Sequence, residues 1–130
     1  MQHCNRFVAA ILFLSFNATA SETDELYTKQ FSTCMQKSGG GTVEMLNCIA
    51  TEMRTQDARL NGAYKKLVGQ LKADRKRQLV EVQRMWIKYR DANCSFYADP
   101  EGGTNATVSA SDCMLTATAN RAKELENLTE

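Results

Sequence analysis

The residue types that carry most protein chemistry are unevenly spread along this chain. Beyond an N-terminal apolar segment there are four cysteines, Cys34, Cys48, Cys94 and Cys113, and no histidine, the single histidine being His3. No two cysteines have the C-x-x-C spacing, which speaks against a zinc centre and against a redox-active dithiol. Without histidine, Ser–His and Cys–His nucleophile systems cannot be assembled. The expectation is a protein that is not an enzyme and that carries no metal and no cofactor. What remains is a line of side chains at spacings of three and four, Gln83, Trp86, Arg90 and Cys94, which share one face of a helix. Arg90 then sits between Trp86 and Cys94, close to the core. A guanidinium there needs a carboxylate or carbonyl partner, and Glu52 and Asp57 are the expected ones.

The environment of the cysteines follows from the N-terminus. One positive charge, Arg6, precedes the run Phe7-Val8-Ala9-Ala10-Ile11-Leu12-Phe13-Leu14-Ser15-Phe16, and Asn17-Ala18-Thr19-Ala20 ends it in an A-x-A pattern. This order predicts a secretory signal peptide over residues 1–20, cleaved after Ala20, and a working domain over residues 21–130. The residue after the expected cleavage point is Ser21, not Cys, so a lipid anchor is not expected, nor is stable membrane insertion after cleavage. The localisation expected is periplasmic or secreted. An even number of cysteines in a small exported chain implies two disulfides. Three pairings are possible; Cys34–Cys48 and Cys94–Cys113 are favoured because each pair brackets a polar, Gly-containing connection.

Four helices are expected to hold these residues. The first covers 22–36, capped by Ser21, with Tyr27, Phe31 and Cys34 on one face. Ser38-Gly39-Gly40-Gly41 ends it; lacking a preceding strand and a following Gly-Lys-Ser/Thr, the triple glycine reads as a connector and not as a phosphate loop. The second runs from Val43 to about Leu71, with Ile49, Met53, Leu60, Tyr64, Leu67 and Leu71 at helical spacing. The third runs from Arg75 to about Tyr97, capped by Asp74, with Leu79, Val82, Trp86, Tyr89, Asn93 and Tyr97 along one stripe. Asp99-Pro100-Glu101-Gly102-Gly103 stops it. A loop over 98–112 leads to the fourth, capped by Ser109 or Ser111 and reaching about Leu128, with Met114, Ala117, Arg121, Leu125 and Leu128 inward. No run alternates with period two. The fold class is all-α, an antiparallel helical hairpin or bundle of about four helices tied by two disulfides.

Composition adds exclusions. The chain has 130 residues with 7 glycines, 1 proline and a formal net charge of +1, which excludes collagen-like and Pro-rich classes and argues against nucleic-acid binding. Charge is nevertheless segregated. Residues 54–90 carry Arg54, Arg59, Lys65, Lys66, Lys72, Arg75, Lys76, Arg77, Arg84, Lys88 and Arg90 against Asp57, Asp74 and Glu81.

Taken together, Cys48, Asp57-x-x-Leu60-Asn61-x-x-Tyr64, Gln83-x-x-Trp86-x-x-x-Arg90-Asp91-x-x-Cys94, Gly102-Gly103, Cys113 and Thr118-x-x-Arg121-x-x-x-Leu125 resemble the lysozyme inhibitor LprI-like N-terminal domain family. The resemblance implies a small helical, disulfide-bonded envelope protein, with Asp57, Asn61, Tyr64, Trp86, Arg90, Asp91 and Arg121 as its structural motif. It also implies a protein partner, lysozyme, inhibited by occlusion of its cleft. An inhibitor of a basic enzyme should offer acidic groups on a projecting segment; Asp99, Glu101 and Asp112, with Gly102 and Gly103 allowing a tight projection, are the partner-binding candidates. The alternative is a periplasmic binding or chaperone-like protein for anionic envelope components, using the basic helices.

Overall fold

A computed structural model describes residues 26–129; the expected signal peptide and the Ser21 cap lie outside these residues. Four helices follow in order, α1 (Lys29–Lys37), α2 (Thr42–Gln70), α3 (Ala73–Phe96) and α4 (Gly103–Asn127), and no strand occurs among the described residues. The expected fold class is therefore the observed one. Both favoured disulfides are present: Cys34–Cys48 ties α1 to α2, and Cys94–Cys113 ties α3 to α4.

The helix ends differ from expectation for local reasons. α1 starts at Lys29, because Thr28 is extended and its hydroxyl accepts the Phe31 N–H at 3.1 Å. Tyr27 precedes the helix and stacks at a tilt on Phe31, ring centroids 5.1 Å apart. The break between α2 and α3 falls at Leu71 and Lys72, both extended, and Lys72, not Asp74, is the α3 cap. Asp74 lies in the first turn of α3, where a carboxylate suits the helix dipole, and pairs with Arg77.

The larger correction concerns residues 98–112, expected as a loop. The connection ends at Gly102, and residues 103–112 already belong to α4. Pro100 follows Asp99 in a turn closed by Gly102 N–H donating to the Asp99 carbonyl at 3.0 Å, the position where proline's fixed φ is favourable. Gly103 then starts α4 at φ +60°, a value few side chains tolerate. A Cβ on Gly102 would stand 2.8 Å from the Ala106 Cβ, so a glycine is what lets α4 begin this early.

α4 packs along α2 and also against α3, while α1 lies on α2. Successive short links make α2/α3 and α3/α4 antiparallel, so α2 and α4 run the same way. Arg59 on α2 reaches Glu126 on α4, while Tyr27, next to the residue that Glu52 anchors, reaches Thr116 earlier on α4. Two sides of α4 are thus covered. Leu115, Ala119, Ala122 and Leu125 are fully buried, as is Thr118. The expected inward set was narrower and partly wrong: Met114 and Ala117 are half-buried and Leu128 is 61% exposed. The main apolar cluster joins Leu60, Ala63 and Leu67 of α2, Leu79 of α3 and Ala122 and Leu125 of α4, with Tyr64, Val68, Leu71 and Trp86 around it. On α3, Val82, Tyr89 and Tyr97 of the expected stripe face solvent, because α3 meets α4 through Gln83, Trp86, Arg90 and Cys94.

The Cys34–Cys48 bridge closes a loop of 14 residues in sequence separation. Replacing both cysteines by serine should lower unfolding stability by about 3 kcal/mol, the chain-entropy value for a loop of this length. Urea unfolding of the oxidised parent and the variant measures it.

Candidate functional site

Two polar arrangements run through the interior, one on each covered side of α4. The first lies where α3 meets α4. The Arg90 guanidinium carbon stands 4.9 Å from the centroid of the Trp86 ring, and that of Arg121 stands 5.8 Å from the same ring. A cation over an indole face is attracted by the ring quadrupole, more strongly where water is excluded. Arg121 has a side chain only 6% exposed. Its Nε donates to Gln83 Oε1 at 3.0 Å and its Nη1 to Glu124 Oε2 at 2.8 Å. Arg90 donates twice to Asp91 Oδ1, at 2.9 and 2.8 Å, and through Nη1 to the Thr118 hydroxyl at 3.3 Å. Neither Glu52 nor Asp57 is its partner, contrary to expectation. Asp57 accepts from Asn61 on the exposed side of α2, and α3 is covered by α4 at this level, leaving Arg90 out of reach of α2.

The second arrangement binds the segment before α1 to α2 and α4. Glu52 is 3% exposed and accepts from the Thr28 backbone N–H at 2.9 Å, the Thr28 hydroxyl at 2.6 Å and Gln56 Nε2 at 2.7 Å. Gln56 Nε2 also donates to the Leu26 carbonyl, and Gln56 Oε1 accepts from Arg59 Nη1. Arg59 completes the line with two parallel bonds to the Glu126 carboxylate. Burial alone would raise the Glu52 pKa. The Thr28 hydroxyl, Gln56 and the Thr28 N–H, with the nearby Arg59 charge, outweigh it and hold the carboxyl below its ordinary 4.5. Sequence reasoning placed Met53 on the inner stripe of α2 and passed over this line. The available signal was Glu52, Gln56 and Arg59 at spacings of four and three on the face that also carries Ile49 and Leu60.

The expected motif residues therefore divide. Trp86, Arg90, Asp91 and Arg121 converge on the α3–α4 contact, and Tyr64 packs on the apolar cluster, while Asp57 and Asn61 pair on an exposed face. Among the expected partner-binding residues, Asp99, Glu101 and Gly102 form the turn between α3 and α4. There Asp99 Oδ1 accepts the Glu101 N–H at 2.9 Å. Gly103 opens α4, and Asp112 lies in the third turn of that helix, at a shallow groove with Tyr89, Asn93, Tyr97, Thr116 and Asn120. Phe96 is 85% and Tyr89 68% exposed. The turn and the adjoining groove carry Asp99, Glu101 and Asp112 beside exposed aromatic rings; the end formed by the α2–α3 link carries Lys65, Lys66, Lys72, Arg75, Lys76 and Arg77 against Asp74. Among the described residues no group of His, Cys, Asp or Glu could hold a metal ion, and no helix is long and apolar enough to cross a membrane.

The described residues form an all-α protein in which one disulfide ties α1 to α2 and another ties α3 to α4, and in which ionic groups hold helices together. The lysozyme inhibitor LprI family matches residues 34–125, and the chain belongs to that family. The matched segment contains the whole α3–α4 arrangement of Gln83, Trp86, Arg90, Thr118 and Arg121, whereas Leu26, Thr28 and Glu126 of the second arrangement lie outside it. An uncharacterized protein of Rhizobium meliloti (strain 1021) is 30% identical over a stretch covering 64% of this chain and 70% of that protein. No solved structure matches the chain.

Because the folded Glu52 pKa lies below the unfolded one, its contribution is complete above the ordinary carboxylate range and is lost as pH falls through the folded pKa. The stability gap between the parent and Glu52→Gln should therefore be widest near pH 7 and shrink below about pH 4.5; guanidinium titrations at pH 7, 5 and 3 decide it, a constant gap contradicting the assignment. Thr118→Val keeps the side-chain shape and leaves an Arg90 N–H without its acceptor. It should cost about 1–3 kcal/mol, and the cost should vanish in an Arg90→Met background.

Proposed function

We infer that this protein inhibits lysozyme, and that it does so with the end formed by the turn between α3 and α4. The observation that carries the reading is the composition of that end: Asp99, Glu101 and Asp112 beside exposed Phe96, Tyr97 and Tyr89, on two helices pinned by Cys94–Cys113. Animal lysozymes are basic and cut glycan chains with a pair of carboxyl groups set in a cleft. An acidic projection steers such a partner, and rigid exposed aromatics are the side chains that most often anchor an interface. Family membership supports the choice of partner. The basic cluster, which would repel a basic enzyme, stands at the other end of α3. That helix has 24 residues, or about 36 Å of rise, several times the screening length of about 8 Å at physiological salt.

In this reading the chain acts outside the cytoplasm. Residues 1–20 serve as a signal peptide removed after Ala20, residues 21–130 form the working domain, and the oxidising compartment keeps both disulfides closed.

Lysis of purified peptidoglycan by an animal lysozyme, with and without the oxidised protein, tests the activity. The triple variant Asp99→Lys, Glu101→Lys, Asp112→Lys should weaken inhibition at least tenfold and leave the circular dichroism spectrum unchanged. Phe96→Ala, at a side chain that is 85% exposed and meets the Tyr97 ring edge-on, should weaken it by about tenfold. Full inhibition by both variants would remove this end from the interface. No protection at several-fold molar excess of the parent would end the lysozyme reading.

A further inference from the structure

At the end opposite the acidic turn, α2, α3 and α4 do not close completely. They leave a slot of about 330 Å³ walled by Leu67, Leu71, Leu79, Val82 and Leu128, with Arg75 at its edge. Its volume is at the small end of the range for ligand sites, about 300–1,000 Å³, so it suits one slender apolar chain better than a fused ring system. Leu128 is 61% and Val82 44% exposed, so this apolar surface opens to solvent.

The rim is cationic. Arg75 donates to Gln78 Oε1 and has no carboxylate partner among the described residues. Lys72 and Lys76 flank it in sequence, and Lys65 and Lys66 lie one to two turns back along α2. Among the described residues, Glu124, which also lines the slot, pairs with Arg121, and Asp74, next to Arg75 in sequence, pairs with Arg77. An apolar slot under an excess of positive charge is complementary to a molecule with a hydrocarbon tail and an anionic head.

We propose that this slot binds a free single-chain anionic amphiphile, its tail between Leu71, Leu79 and Leu128 and its carboxylate or sulfate head at Arg75. Binding there is independent of lysozyme inhibition, because the two sites occupy opposite ends of α3 and use no common residue.

Calorimetric titration of the oxidised protein with octanoate, decanoate and dodecanoate, each kept below micelle formation, tests the proposal. Affinity should rise about fourfold per methylene, the value set by burial of one CH₂ group. Methyl resonances of Leu71, Leu79 and Leu128 should shift at saturation. Arg75→Gln should weaken dodecanoate by about tenfold, the loss expected for a hydrogen bond to a charged group. Leu128→Asp, at an exposed position whose change leaves the core intact, should abolish binding while lysozyme inhibition persists. Dodecyltrimethylammonium should bind far more weakly than dodecanoate. Equal binding of the cationic and anionic chains, or dodecanoate binding untouched by Leu128→Asp, would overturn the site. Binding only to vesicles of phosphatidylglycerol, with none to the monomeric amphiphile, would overturn it too and assign the cations to a membrane surface.

Discussion

Two guanidinium groups against one indole ring set the position of α3 on α4. Arg90 and Arg121 come from different helices, and both reach Trp86. A buried guanidinium without partners would cost several kcal/mol, of order 3–5 when a pair is broken. Each is therefore admissible only where its second contact is also met: Thr118 and Asp91 for Arg90, Gln83 and Glu124 for Arg121. Sliding α3 by one turn would move Gln83 and Trp86 about 5 Å along α4 and strip both cations of partners together. Apolar contacts tolerate such a slide far better. The polar contact thus selects the register, and Cys94–Cys113 closes the same pair of helices at one end once that register is reached.

α4 can serve two neighbours because of what it is made of. Ala106, Ala119 and Ala122 with Thr118 are small, and the helix has no aromatic residue. Small side chains let α2 approach closely on one side while the cations of α3 take the other. The cost of so modest a core is met by fixed polar links. Glu52, Gln56, Arg59 and Glu126 do on the α2 side what Gln83, Arg90 and Arg121 do on the α3 side. Together with two disulfides they hold a chain whose main apolar cluster is confined to the half of the molecule nearest the α2–α3 link.

The four helices, their order and both sulfur bridges were legible in the sequence, because 3.6-residue periodicity and cysteine spacing are local signals. The early start of α4 was not. Residues 104–112 are rich in Thr, Ser and Asn, types that favour caps and turns, and their helicity depends on Ala106 burying and on Cys113 being tied to α3. The Thr28 cap was masked in the same way, since its hydroxyl is oriented by Glu52, 24 residues away. The line Gln83, Trp86, Arg90 and Cys94 was correctly read as one face. The partners of Arg90 were misread, because Glu52 and Asp57 satisfy the charge rule as well as Asp91, its neighbour on α3, and α4 adds only the Thr118 hydroxyl. Composition says that Arg90 needs company and only tertiary geometry says whose.

Charge segregation follows from the same geometry. Three helices joined by tight links put residues 71–77 at one end and residues 97–102 at the other. The cations of residues 65–77 then form a cationic pole, and Asp99 and Glu101 stand at the far end of α3. Because the separation, about 36 Å along α3, exceeds the screening length of about 8 Å, each end presents its own charges to an approaching partner. A net charge of only +1 therefore describes the average of two surfaces and neither of them. Partners of opposite charge can be addressed by one small rigid body, provided that the contact between α3 and α4 keeps the two ends apart.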